Sequence, residues 1–128
     1  MFKIEHIDHV ALTVKHVERS VAWYRDVLGL ERRHQEVWGS HPAVMYAGMT
    51  AVALFPAAGS NPAGAPDHRR AAIMRHLAFK VDRENFKRAQ AELRDRKIEF
   101  VFEDHDISHS IYFRDPDGYE IELTTYDR

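Results

Sequence analysis

The sequence contains no cysteine, which excludes disulfide cross-links and a catalytic thiolate supplied by the protein itself. No apolar run approaches the ~20 residues needed to span a bilayer. The N-terminal residues MFKIEHIDHV lack the apolar stretch and cleavage site of a signal peptide. The formal net charge is -2, whereas nucleic-acid-binding proteins normally have an excess of basic residues. We therefore expect a cytoplasmic protein that binds neither membranes nor nucleic acids.

Histidine, in contrast, is abundant, with nine residues in a chain of 128. Imidazole is the commonest metal ligand in proteins. Hydrophobic residues make up 45% of the chain, enough for the core of a single domain. Most of the histidines must still be ordinary surface residues, so only position and spacing can identify a functional one.

The two halves of the chain begin in the same way. Residues 9–14 read HVALTV, and residues 76–81 read HLAFKV. Because strand side chains alternate between two faces, each of these segments separates a His and an Ala from a row of larger apolar residues. The match predicts an internal repeat rather than a chance similarity between two strands of an unrelated α+β domain.

A helical pattern follows each of these strands. Apolar side chains recur at helical spacing from residue 17 to residue 28, and Gly29 then suits the end of a helix. The same spacing recurs from Phe86 to Leu93, with Asp82 at the position of an N-cap. Both halves thus predict a strand followed by an amphipathic helix.

Three further strand-like runs follow each helix, and a segment rich in Pro, Gly and Ala connects the halves. The runs are residues 31–38, 43–48 and 51–56, then 98–103, 109–114 and 118–125. The predicted fold is α+β, with two βαβββ modules in one domain. Module one covers about 5–57, the linker about 58–72 and module two about 73–126.

Three motifs resemble the vicinal oxygen chelate superfamily. They are HVALTV at 9–14, SVAWYRDVLGL at 20–30 and DPDGYEIEL at 115–123. That superfamily includes glyoxalase I, extradiol dioxygenases, fosfomycin-resistance thiol transferases and bleomycin-binding proteins. The resemblance implies that each module curls a mixed sheet into a half-barrel, and that paired modules enclose a divalent metal ion. It also implies a homodimer.

The resemblance assigns the metal ligands to His9, His76 and Glu122. The strand alternation agrees, because each of the three lies opposite an apolar face. Glu120 shares the predicted face of Glu122, but the superfamily pattern selects Glu122, and we expect Glu120 at the rim. Two imidazoles and one carboxylate suit first-row divalent ions. Fe²⁺ is the first choice, with Mn²⁺, Ni²⁺ or Zn²⁺ as alternatives.

Among the activities of the superfamily, the sequence most resembles an extradiol dioxygenase acting on a catechol-type small molecule. The resemblance makes Tyr112, His105 and His109 the catalytic candidates, as hydrogen-bond donors or acids. One departure is that Met49 and Thr50 occupy the place of the dioxygenase base histidine.

Three alternatives remain open. A glyoxalase I-like lyase or isomerase is disfavoured because Ala53 stands where that enzyme has a fourth ligand. A thiol transferase specific for fosfomycin is disfavoured because Ala11 replaces a Thr, and because Phe102 or its neighbours stand where those enzymes have a phosphonate-binding Lys. A non-catalytic, bleomycin-type binding protein would typically lack the three metal ligands.

Overall fold

The computed structural model describes all 128 residues. The chain divides into two compact units, Met1–Gly64 and Ala65–Arg128. Unit 1 contains β1 (His9–Val14), α1 (Val17–Asp26), β2 (Glu31–Arg33), α2 (Gln35–Trp38), β3 (Ala43–Ala47) and β4 (Thr50–Pro56). Unit 2 contains β5 (Leu77–Lys80), α3 (Arg83–Asp95), β6 (Val101–Asp104), β7 (His109–Arg114) and β8 (Glu120–Thr125).

Each unit has one four-stranded mixed sheet, and the two sheets have the same connectivity. The strand orders are β1-β4-β3-β2 and β5-β8-β7-β6. In both sheets the first and last strands pair in parallel, and the remaining pairs are antiparallel. The predicted α+β fold of two βαβββ modules is therefore confirmed.

One face of each sheet packs under the helix of the same unit. In β1, Leu12 and Val14 are buried, whereas His9, Ala11 and Thr13 are exposed. The α1 residues buried in unit 1 are Ser20, Val21 and Tyr24. In unit 2, α3 buries Phe86 and Leu93, and the strands bury Ile111, Phe113, Ile121 and Leu123. The alternation thus leaves the His9 face of β1 away from the core of its unit.

Backbone conformation explains where the predicted boundaries differ from the structure. The strand predicted over 31–38 ends at Arg33, because His34 adopts a left-handed conformation with φ 67° and α2 follows. The strand predicted to begin at residue 98 begins at Val101, after Lys97 with φ 59°. Gly29, at φ 70°, does follow α1 as predicted. No helix is both long and apolar enough to cross a membrane.

Candidate metal centre

An imidazole and a carboxylate of unit 2 converge where β5 begins beside β8. His76 immediately precedes β5, and Glu122 lies in β8, which pairs in parallel with β5. The Nε2 atom of His76 is 2.8 Å from Oε1 of Glu122. The structure therefore brings together two of the three predicted ligands, and both belong to the donor types that bind first-row divalent ions.

A hydroxyl from the neighbouring strand holds the second oxygen of Glu122. Ser110 in β7 is fully buried, and its Oγ donates a hydrogen bond to Oε2 of Glu122 at 2.7 Å. Glu122 itself is only 8% exposed. A carboxylate this deeply buried needs partners on its oxygens. Ser110 occupies Oε2 and thereby leaves Oε1 directed at His76.

Tyr112 lies beside this pair. It is the β7 partner of Glu122, and its ring packs edge-on against His76 with centroids 5.7 Å apart. The hydroxyl of Tyr112 is 2.8 Å from Nε2 of His105. Burial, together with the negative charge of Glu122, raises the pKa of Tyr112 above its ordinary value. Two of the predicted catalytic residues are thus linked to each other and adjacent to the His76–Glu122 pair.

The structure does not bring His109 to this place. In β7 it alternates with Ser110 and Tyr112, so its side chain lies on the opposite face of the sheet. There its ring contacts Phe102 at 5.1 Å between centroids, and its Nε2 is 3.6 Å from Oδ1 of Asp104. We therefore assign it no part in the chemistry at Glu122.

Two further residues contact the site, and the sequence analysis gave neither of them a role. Glu120 Oε2 lies 2.9 Å from Nε2 of His68 and 3.9 Å from Nδ1 of His76. The Glu120 side chain is only 12% exposed, so the rim position predicted for it is wrong. Its place on the same strand face as Glu122 was a usable signal. His68 lies in the connecting segment, where no periodicity identifies a buried residue.

His9 belongs to unit 1. Its side chain is half exposed on β1, and its Nδ1 is 2.8 Å from Oδ2 of Asp8. Its β4 neighbour is Ala51, and two residues further along the strands Ala11 pairs with Ala53, so these neighbours of His9 are small. Within either unit, no three His, Asp or Glu side chains are arranged to hold a metal ion. The assignment of His9 as a ligand stays a prediction.

The sequence as a whole matches one protein family. The model of the Glyoxalase/Bleomycin resistance protein/Dioxygenase superfamily matches residues 6–123. The chain belongs to this superfamily. The resemblance to the vicinal oxygen chelate proteins is thereby confirmed, and membership supports a metal-dependent enzyme that acts on a small organic molecule.

Individual superfamily members are similar over nearly the whole chain. The metallothiol transferase FosB of Staphylococcus epidermidis is 28% identical, with 96% of this chain and 83% of the relative covered. A crystal structure of a glyoxalase/dioxygenase from Nostoc punctiforme has a TM-score of 0.77 at 25% identity, covering 94% of this chain and 90% of that one. A glyoxylase/bleomycin resistance protein/dioxygenase domain from Frankia sp. EAN1pec has a TM-score of 0.78 at 20% identity, covering 96% and 93%.

Proposed function

We propose that this protein is a divalent-metal-dependent enzyme in which His9, His76 and Glu122 bind the ion. The observation that carries the proposal is the 2.8 Å approach of His76 Nε2 to Glu122 Oε1, with the other carboxylate oxygen held by Ser110. A divalent ion at such a site supplies a Lewis acid that polarises an oxygen of a chelating substrate. His9 comes to the proposal from the superfamily pattern, as does a homodimer.

Tyr112 is the proposed acid. A phenol of ordinary pKa is already protonated at neutral pH, and burial with the charge of Glu122 raises the pKa of Tyr112 further, so its hydroxyl carries a proton that it can donate to a basic substrate oxygen. His105, whose Nε2 lies 2.8 Å from that hydroxyl, orients it and connects it to the surface. The ring of Tyr112 against His76 places this proton donor beside the proposed ligands.

Thiol transfer is the reaction class we favour, on the similarity to the metallothiol transferase FosB. In such a transfer the thiol loses its proton to solvent and the thiolate sulfur attacks an electrophilic carbon, so that a C–S bond forms while the C–O bond of that carbon breaks. The released oxygen then takes a proton, which Tyr112 is positioned to give. Ala11, and Phe102 at the place of the phosphonate-binding lysine, argue that the electrophile differs from fosfomycin.

Extradiol-type dioxygenation is the second candidate. The observation that favours it is the hydrogen-bonded Tyr112–His105 pair beside the His76–Glu122 pair, because the dioxygenase resemblance makes both Tyr112 and His105 catalytic candidates. A two-His-one-carboxylate site with open positions suits non-haem Fe²⁺. This candidate requires iron, whereas thiol transfer is compatible with Mn²⁺, Ni²⁺ or Zn²⁺.

One set of assays separates these activities. The purified protein is loaded anaerobically with Fe²⁺, Mn²⁺, Ni²⁺ or Zn²⁺, and bound metal is measured after desalting. Each metal-loaded form is then assayed in two ways. With a thiol and an epoxide, the loss of free thiol is measured; with a catechol and oxygen, the colour of the ring-cleavage product is measured. We expect one ion per chain, metal-dependent thiol consumption, and loss of the ion in Glu122→Gln.

The matched control is Glu92→Gln, which removes the same charge from an exposed position on α3. It should keep both metal and activity. Ring cleavage with iron and no thiol consumption would replace thiol transfer by dioxygenation. A protein that retains no stoichiometric ion with any of the four metals would contradict the proposal and favour a non-catalytic binder.

A further inference from the structure

Glu120 lies next to His76, on the side of the imidazole away from Glu122, and it is not one of the proposed metal ligands. Its Oε2 atom lies on the Nδ1 side of the imidazole, at 3.9 Å, while the Nε2 atom on the other side approaches Glu122. One imidazole therefore lies between two carboxylates. The side chains of Glu120 and Glu122 are 12% and 10% exposed. Neither charge is dispersed into solvent.

We propose that Glu120 is a positioning residue for His76. A histidine that binds a metal through one nitrogen commonly directs its other N–H to a carboxylate, which fixes both the tautomer and the ring orientation. At 3.9 Å the Glu120 Oε2–His76 Nδ1 distance is longer than a hydrogen bond. Glu120 takes this part by a closer approach when Nε2 binds an ion, favouring a proton on Nδ1 and a free lone pair on Nε2. This inference rests on the proposed function, because it assumes that His76 Nε2 binds an ion.

His68 in turn holds Glu120. It is only 7% exposed, and its Nε2 lies 2.9 Å from Oε2 of Glu120 without the alignment of a hydrogen bond. Neither ring nitrogen of His68 has a hydrogen-bond partner. A buried imidazole without such a partner is unfavourable unless it serves another interaction. The close approach to the Glu120 carboxylate is that interaction.

The connecting segment that carries His68 is attached to the turn before β8. The Ala65 N–H donates to the carbonyl of Asp117 at 3.0 Å, three residues before Glu120. Asp117 is itself buried. This attachment keeps His68 close to the strand that carries both carboxylates. The connecting segment thus positions His68, His68 positions Glu120, and Glu120 positions His76.

The test uses Zn²⁺ with the full chain and measures affinity by competition with a chromophoric chelator. Glu120→Gln should lower the Zn²⁺ affinity about 10- to 100-fold, the usual cost of losing such an outer carboxylate. His68→Gln should lower it less, in the same direction. Glu92→Gln is the charge-matched control and should leave it unchanged. Circular dichroism shows whether each variant is folded.

A second readout reports on the imidazole itself. In protein labelled with ¹⁵N-histidine and loaded with Zn²⁺, we expect a slowly exchanging Nδ1–H signal from His76. In Glu120→Gln this signal should broaden through exchange with water while the fold is retained. Glu120→Asp, which keeps the charge, should restore part of the signal and part of the affinity.

The outcomes distinguish this inference from the proposed function. Wild-type protein that binds no Zn²⁺, or binds it independently of Glu122, overturns the proposed function and this inference with it. Wild-type protein that binds Zn²⁺ through Glu122, with equal affinity in Glu120→Gln and Glu92→Gln, overturns only the positioning role.

Discussion

At the scale of single residues, the carboxylates of Glu120 and Glu122 lie on the same face of β8 but have different partners. Glu122 is contacted by Ser110 on one oxygen and by His76 on the other. The carboxylate of Glu120 instead lies close to two imidazoles, those of His68 and His76. Removing a partner from a buried carboxylate costs more than the contact itself, because the remaining charge stays desolvated. Substitutions of the partners are therefore informative.

Ser110→Ala is expected to destabilise the protein. The substitution leaves Oε2 of Glu122 buried without its hydrogen bond of 2.7 Å. The free energy of unfolding, measured in urea, should fall by about 1–3 kcal/mol. Ser60→Ala, at an exposed position of the connecting segment, is the control and should leave it unchanged. Equal unfolding free energies for the two variants would show that Ser110 does not support Glu122.

Tyr112 should titrate at a higher pH than an ordinary tyrosine. Burial and the charge of Glu122 both favour the neutral phenol, so its pKa lies above 10.0. Because a phenol is protonated below its pKa, the shift extends the pH range in which it can donate a proton. The measurement is the ultraviolet tyrosinate titration of wild type minus that of Tyr112→Phe.

Glu122→Gln provides the matched control for this titration. The variant removes the negative charge of Glu122, one of the causes of the raised pKa, so the Tyr112 transition should move to lower pH than in wild type. A wild-type midpoint at or below 10, or one that Glu122→Gln leaves in place, would contradict the assigned cause.

At the scale of secondary-structure elements, the two long helices begin differently. The Asp82 side chain accepts a hydrogen bond from the N–H of Asn85 at 2.8 Å and caps α3, as the sequence predicts. His16, at the same position before α1, makes no such bond. Asp82→Ala should therefore lower the free energy of unfolding by about 1 kcal/mol, whereas His16→Ala should change it little. Urea unfolding of both variants measures this difference directly, and equal losses would contradict it.

The elements also show which parts of the structure local sequence can predict. Alternation in HVALTV and helical spacing after Phe86 are local properties, so the strands, the long helices and the duplicated topology were predictable. The left-handed His34, which ends β2, has only a weak local signal: His is enriched among non-glycine residues at positive φ, but such residues are uncommon overall. The strand prediction over residues 35–38 was wrong for this reason.

The superfamily resemblance, with which strand alternation agrees, is what predicts the candidate site. It made His76, Glu122 and Tyr112 candidates, and strand alternation by itself would not have selected them. His68 could not be predicted, because its burial comes from a contact between the connecting segment and β8 rather than from a repeating pattern. Glu120 was expected at the rim because the superfamily pattern selects Glu122 as the ligand. The strand pattern alone does not indicate that the Glu120 side chain is buried, because it does not show that His68 lies beside it.

At the scale of the whole molecule, two units with the same topology are joined by residues 57–76, which contain no helix or strand. The two ends of this segment differ in their contacts. Ser60 and Asn61 are exposed, whereas Ala65 and His68 contact the turn before β8 and Glu120 respectively. The first part is therefore expected to act as a simple tether, and the second part as a component of the site.

Two insertions of the same Gly/Ser decapeptide test this division. Placed between Ser60 and Asn61, it should lower the free energy of unfolding by less than about 1 kcal/mol, because doubling a flexible loop costs only about 0.6 kcal/mol. Zn²⁺ affinity should be unchanged. Placed between Asp67 and His68, the same insertion separates His68 from the attachment at Ala65 and should lower Zn²⁺ affinity. Equal affinities for the two variants would mean that the connecting segment holds the units together but does not position Glu120.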